Sequence, residues 1–123
     1  MALMVMPVPI LPGKTEQWKA FRDELLGRRF AEYADSRRRL GVQERVYFYS
    51  APQGGDWAIV TLEGKDPTRA FRRFGIGNDE FTRWFVQQVK EIHGLDLTNP
   101  GDIAIPQLEL DTGSGGISQS GGR

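Results

Sequence analysis

Two β-forming runs face each other across a short turn. Gln43 to Ala51 (QERVYFYSA) and Trp57 to Glu63 (WAIVTLE) are rich in β-branched and aromatic residues. Between them lies Pro52-Gln53-Gly54-Gly55-Asp56, all turn formers, so the pair reads as a hairpin. Side chains alternate along a strand, which puts Val46, Phe48 and Ser50 on one face and Tyr47 and Tyr49 on the other. In the second run Ala58, Val60 and Leu62 oppose Trp57 and Ile59, and Trp57 is expected to share a face with Phe48. Both faces are apolar. A sheet built on this hairpin needs cover on both sides.

Met1 to Ile10 offers a further strand of the same kind, with Met4, Met6 and Val8 against Leu3 and Val5; Pro7 and Pro9 limit its pairing. Asp79 to Gly94 supplies a cover. Asn78 or Asp79 caps the first turn, Phe81, Phe85, Val89 and Ile92 make one helical stripe, and Gly94 suits a left-handed C-terminal cap followed by apolar Leu95. A second helix is expected from Thr15, acting as cap, with Trp18, Phe21 and Leu25 on its apolar side. Gly27 and a phase slip to Phe30 and Tyr33 predict a break near 27–29, then another helical piece ending at Gly41. Asp66-Pro67 opens a short helix carrying Ala70, Phe71 and Phe74. Ile103 to Leu110 is expected as a last strand, at an edge or bulged because of Pro106.

The resulting order, strand–helix–strand–strand–helix–strand, is the α+β ferredoxin-like βαββαβ pattern, a four-stranded antiparallel sheet with its helices on one face. The second apolar face then has no cover from this chain, and a second copy packed on it, a homodimer, is the simplest one. Residues 1–110 are expected to form this single domain. Residues 111–123 are glycine- and serine-rich and are expected to be a disordered tail.

Composition limits function. Sixteen basic and 16 acidic residues balance, which argues against sequence-independent nucleic-acid binding. No apolar run approaches the roughly 20 residues of a membrane span. The apolar start lacks a basic region and holds two prolines, so no signal peptide is expected. The chain has no cysteine, hence no disulfide or thiolate chemistry, and a cytoplasmic protein is the expectation.

The layout resembles the dimeric α/β-barrel superfamily, which includes cofactor-independent antibiotic-biosynthesis monooxygenases, haem-degrading monooxygenases and muconolactone isomerase-like enzymes. Pro9 with Leu11-Pro12-Gly13-Lys14, Ser36 to Gly41 (SRRRLG), Trp84-Phe85 and Val89 to Leu97 (VKEIHGLDL) are similar to a bacterial family within it that is related to the antibiotic-biosynthesis monooxygenases. The resemblance implies a homodimer and an apolar ligand pocket between helices and sheet, worked without a cofactor.

His93 is the only histidine, and its unperturbed pKa suits a base. Trp84 and Tyr49 join it as catalytic candidates; Trp18, Tyr33, Tyr47 and Phe85 are candidates for the pocket wall. For the aromatics the alternative is plain core packing and the dimer face, and for His93 it is a helix C-terminus, bonding a terminal carbonyl; the residues themselves favour these alternatives. Phe81-x-x-Trp84 and Lys90-Glu91-Ile92-His93 are similar to the haem-degrading branch, in which such a histidine ligates iron, so haem binding through His93 is an alternative that the resemblance implies. Arg37-Arg38-Arg39 is open to two readings. It could hold an anion, or pair on a solvated face with Glu32, Asp35 and Glu44.

Overall fold

The computed structural model describes residues 1–113. Strands β1 (Ala2–Pro9), β2 (Val42–Ala51) and β3 (Gly55–Gly64) form one antiparallel sheet in the order β1-β3-β2. Both outer strands run against β3, so β1 and β2 are parallel to each other with β3 between them. Helices α1 (Thr15–Leu26), α2 (Phe30–Arg39), α3 (Pro67–Arg72) and α4 (Glu80–His93) follow the expected order, with a single turn of tighter helix at Pro100–Asp102.

The core lies on one side of this sheet. Met4, Met6 and Val8 of β1 and Ala58 and Leu62 of β3 are buried in a single cluster with Phe21, Phe71 and Phe85 from the helices. Their alternate neighbours Leu3, Val5, Tyr47 and Tyr49 are exposed. The helices therefore cover one face, and no described residue covers the other.

The register corrects one expectation. Tyr49 pairs with Trp57 and Phe48 with Ala58. Directly paired residues share a face, so Trp57 belongs with Tyr47, Tyr49 and Ile59 on the uncovered side. The three-residue turn, Pro52 to Gly54, fixes this register, which alternation within each strand leaves open.

The break between α1 and α2 falls where the phase slip placed it. Gly27 and Arg29 both donate backbone N–H groups to the carbonyl of Glu24, closing α1. Arg29 then pins the turn. Its guanidinium forks onto Glu80 at 2.9 and 3.1 Å and stacks 4.1 Å from the Trp84 ring centre. Thr15 is not a cap: α1 has no side-chain cap, and the Thr15 hydroxyl donates to Asp56 at 2.6 Å, tying α1 to the hairpin turn.

Helix α4 has the caps its sequence suggests. Asp79 accepts from the Thr82 N–H at 3.0 Å, and Gly94 sits at φ 72°, donating to the Lys90 carbonyl. Leu95 packs against the core. Replacing the cap, Asp79→Ala, is expected to cost about 1 kcal/mol in a urea or thermal melt.

The fourth strand expected over Ile103–Leu110 is not present: residues 103–110 take no regular structure. Ile103 is buried and Ile105 packs against the core, but Leu108 and Leu110 are exposed. Pro106 removes an amide from the middle of this segment, which breaks any continuous ladder along β1. Of the tail expected to be disordered, residues 114–123 lie outside the described residues.

Candidate functional site

Between the helix layer and the sheet lies a cavity of about 340 Å³. Its wall is overwhelmingly apolar. Met6, Val8 and Ala58 form the sheet side and Trp18, Phe85 and Val89 the helix side. Three wall residues remain exposed, Leu26 at 66%, Phe30 at 50% and Val46 at 42%. They mark the mouth, beside the α1–α2 break and the free edge of β2. The opening exists because α1 stops at Leu26, before its apolar stripe can extend over Val46.

His93 lines the cavity and is itself 7% exposed, so it belongs to the closed end. Its Nδ1 lies 2.7 Å from the carbonyl oxygen of Pro9, at the end of β1. The cap reading from sequence is thus corrected. The ring does not bond a carbonyl of its own helix, whose last turn is closed by Gly94; it ties α4 to the first strand. Burial pushes its pKa below the ordinary value, and the Pro9 hydrogen bond only partly offsets this.

That shift has a consequence for stability. An unfolded histidine titrates near pH 6.5, and above that value both states are neutral. As the pH falls below it the unfolded chain takes up the proton first, so folding stability drops through this window, by about 1.4 kcal/mol per pH unit at most. His93→Gln is expected to flatten the loss between pH about 6.5 and 5 in urea melts. Asp56, Asp79 and Asp96, each held below the usual range mainly by side-chain hydrogen bonds from Ser50, Thr82 and Thr98, add a loss of the same sign at lower pH.

The cavity wall also holds a buried carboxylate. Glu44 points inward from β2, and its Oε1 accepts from Nε of Arg37 at 2.6 Å. Both side chains are almost fully buried. Arg37 also donates to Ser36 Oγ at 3.0 Å and stacks on the Phe74 ring at 3.7 Å and the Phe85 ring at 4.7 Å. Its Nη2 has no hydrogen-bond partner among the described residues, and the aromatic faces are what it meets instead. Tyr33 lies against this pair. Burial, and then the Glu44 carboxylate, hold its hydroxyl protonated far above the ordinary tyrosine range.

The arginine cluster therefore divides. Arg38 and Arg39 pair with Asp35 on the surface, as the bland reading has it. Arg37 is 4% exposed and belongs to the interior. The pairing with Glu44 is one that the sequence offers, but it lies in the interior and not on a solvated face, and the spacing carries a signal for that. Arg37 follows Phe30 and Tyr33 at helical spacing, and Glu44 alternates in phase with Val42 and Val46, so an acid and a base both sit on core faces.

Of the named candidates, His93, Trp18, Tyr33 and Phe85 meet at the cavity. Trp84 does not: it packs between Phe21, Phe81 and the Arg29 guanidinium, on the flank of α4. Tyr47 and Tyr49, 59% and 53% exposed, stand on the opposite face of the sheet. As pocket or catalytic residues, these three are placed elsewhere. Among the described residues no three His, Asp or Glu side chains converge to hold a metal ion. For the haem alternative, His93 is the one lining residue with a ring nitrogen to offer iron, in a cavity at the small end of ligand-site volumes. No helix of the described residues is long and apolar enough to cross a membrane.

No family model, no curated protein and no solved structure matches the chain.

Proposed function

We propose that this protein is a small-molecule-binding homodimer whose helix–sheet cavity takes one small apolar or aromatic molecule. The cavity carries the reading. Its volume of about 340 Å³ lies at the lower end of the range for ligand sites, and its combination of apolar wall and few polar groups is what such sites share. Cofactor-independent turnover of the monooxygenase or isomerase kind is the activity that the family resemblance implies. His93 is the residue placed to serve as base, and a non-catalytic binding role needs the same cavity without that step.

The dimer is supported by the uncovered sheet face. Leu3 and Val5 of β1, Ile59 and Trp57 of β3, and Tyr47 and Tyr49 of β2 share it. The strand order β1-β3-β2, with all helices on one side, is compatible with a ferredoxin-like dimeric α/β barrel.

Naphthalene is a suitable apolar probe. Added to the labelled protein, it is expected to shift the amide resonances of Val8, Ala58 and Val89. Ala58→Phe, which fills the sheet side of the cavity, is expected to weaken its binding about tenfold or more while leaving the rest of the spectrum in place. Binding that survives Ala58→Phe unchanged would place the ligand elsewhere.

A further inference from the structure

One polar atom at the closed end of the cavity, a ring nitrogen of His93, selects the ligand's chemistry. The carbonyl of Pro9 has no proton to give, so in the 2.7 Å contact with His93 the Nδ1 must be the donor. In a neutral imidazole whose Nδ1 carries the hydrogen, Nε2 holds a lone pair and acts only as an acceptor. Among the described residues His93 makes no other hydrogen bond, so that lone pair is not satisfied by the protein. Glu44 stands level with Leu62 and Met4, well along the strands from Pro9, and its charge is already balanced by Arg37 at 2.6 Å. The Tyr33 side chain lies beside the same carboxylate. Arg22, the remaining cation on the wall, is half exposed, held by Asp23 at 2.9 Å and set over the Trp18 ring. The end of the cavity at His93 thus offers one unpaired acceptor nitrogen among aliphatic and aromatic walls.

We infer that the occupant is an uncharged, largely apolar molecule bearing one hydroxyl or N–H group, which it donates to Nε2 of His93. This rests on the cavity being the binding site. A ligand lacking the donor leaves the Nε2 lone pair unmet, and a carboxylate placed there sets its charge against that lone pair in an apolar wall.

The test uses the unaltered protein near neutral pH, where naphthol keeps its proton. Naphthol, naphthalene, methoxynaphthalene and naphthoate are titrated separately and followed by NMR, with the His93 ring nitrogens observed directly. Naphthol is expected to bind about tenfold or more tighter than naphthalene and methoxynaphthalene, with naphthoate weaker still. Before any addition Nε2 should show the resonance of an unprotonated nitrogen, and naphthol alone should move it. If all three uncharged probes bind equally, and Ala58→Phe still blocks them, the cavity reading stands and the donor inference is wrong. If no probe binds, both fall. A proton found on Nε2 in the free protein also overturns the inference.

Discussion

Arg37→Leu is expected to lower folding stability by about 3–5 kcal/mol, the usual loss when one member of a buried ion pair is removed. The Glu44 carboxylate, held at 2.6 Å by the Arg37 Nε and shielded from water, is then left charged in an apolar wall. For a domain of this size the thermal midpoint should fall by roughly 10–20 °C. Glu44→Gln, which keeps an acceptor for the guanidinium, should cost less than Arg37→Leu. Arg37→Leu combined with Glu44→Leu should recover part of the deficit, because two apolar side chains leave no charge stranded. Arg38→Leu is the control. It removes only an exposed pair with Asp35, and a change above about 1 kcal/mol there would be unexpected.

The second large effect concerns the uncovered sheet face. Tyr47 and Ile59 are direct partners across β2 and β3, near the middle of that face. Replacing them together, Tyr47→Glu with Ile59→Lys, plants two charges in the proposed interface while removing nothing from the helix-side core. Light scattering of the unaltered protein at micromolar concentration should give twice the chain mass of 13.9 kDa, and the double variant should give one chain mass. The opposite charges pair across the strands in the monomer, so the variant's secondary structure is expected to persist. A monomeric parent protein would remove the dimer. An unchanged dimeric mass in the variant would move the interface to another surface.

What the sequence revealed depended on periodicity. The stripe of Phe81, Phe85, Val89 and Ile92 located α4, and Asp79 and Gly94 marked its ends, because caps obey local rules that a linear reading can apply. The slip between Leu25 and Phe30 located the α1–α2 break for the same reason. Cross-strand register was not legible, since alternation fixes faces within a strand but not between strands; Trp57 was accordingly assigned to the wrong side. Ile103–Leu110 has strand-like composition, yet strand formation needs a partner edge and free amides, and Pro106 removes one of those amides.

The site was half legible. His93, Trp18, Tyr33 and Phe85 were named from chemistry and stripe position, and they do meet. Trp84 was misjudged because a flank residue can turn towards a pocket or towards a neighbouring cation, and Arg29, brought close by the α1–α2 turn, decided the matter. The Arg37–Glu44 pair is expected on the surface, because a run of three arginines reads as one surface feature, and the structure buries it. Helical phase separates the members of the run.

The most direct test of the binding reading is where the ligand sits. Isotope-filtered NOEs between bound naphthol and the labelled protein should reach the methyl groups of Val8, Ala58 and Val89 and the ring protons of His93. NOEs confined to Leu3, Val5 and Ile59, on the other face of the same sheet, would contradict it.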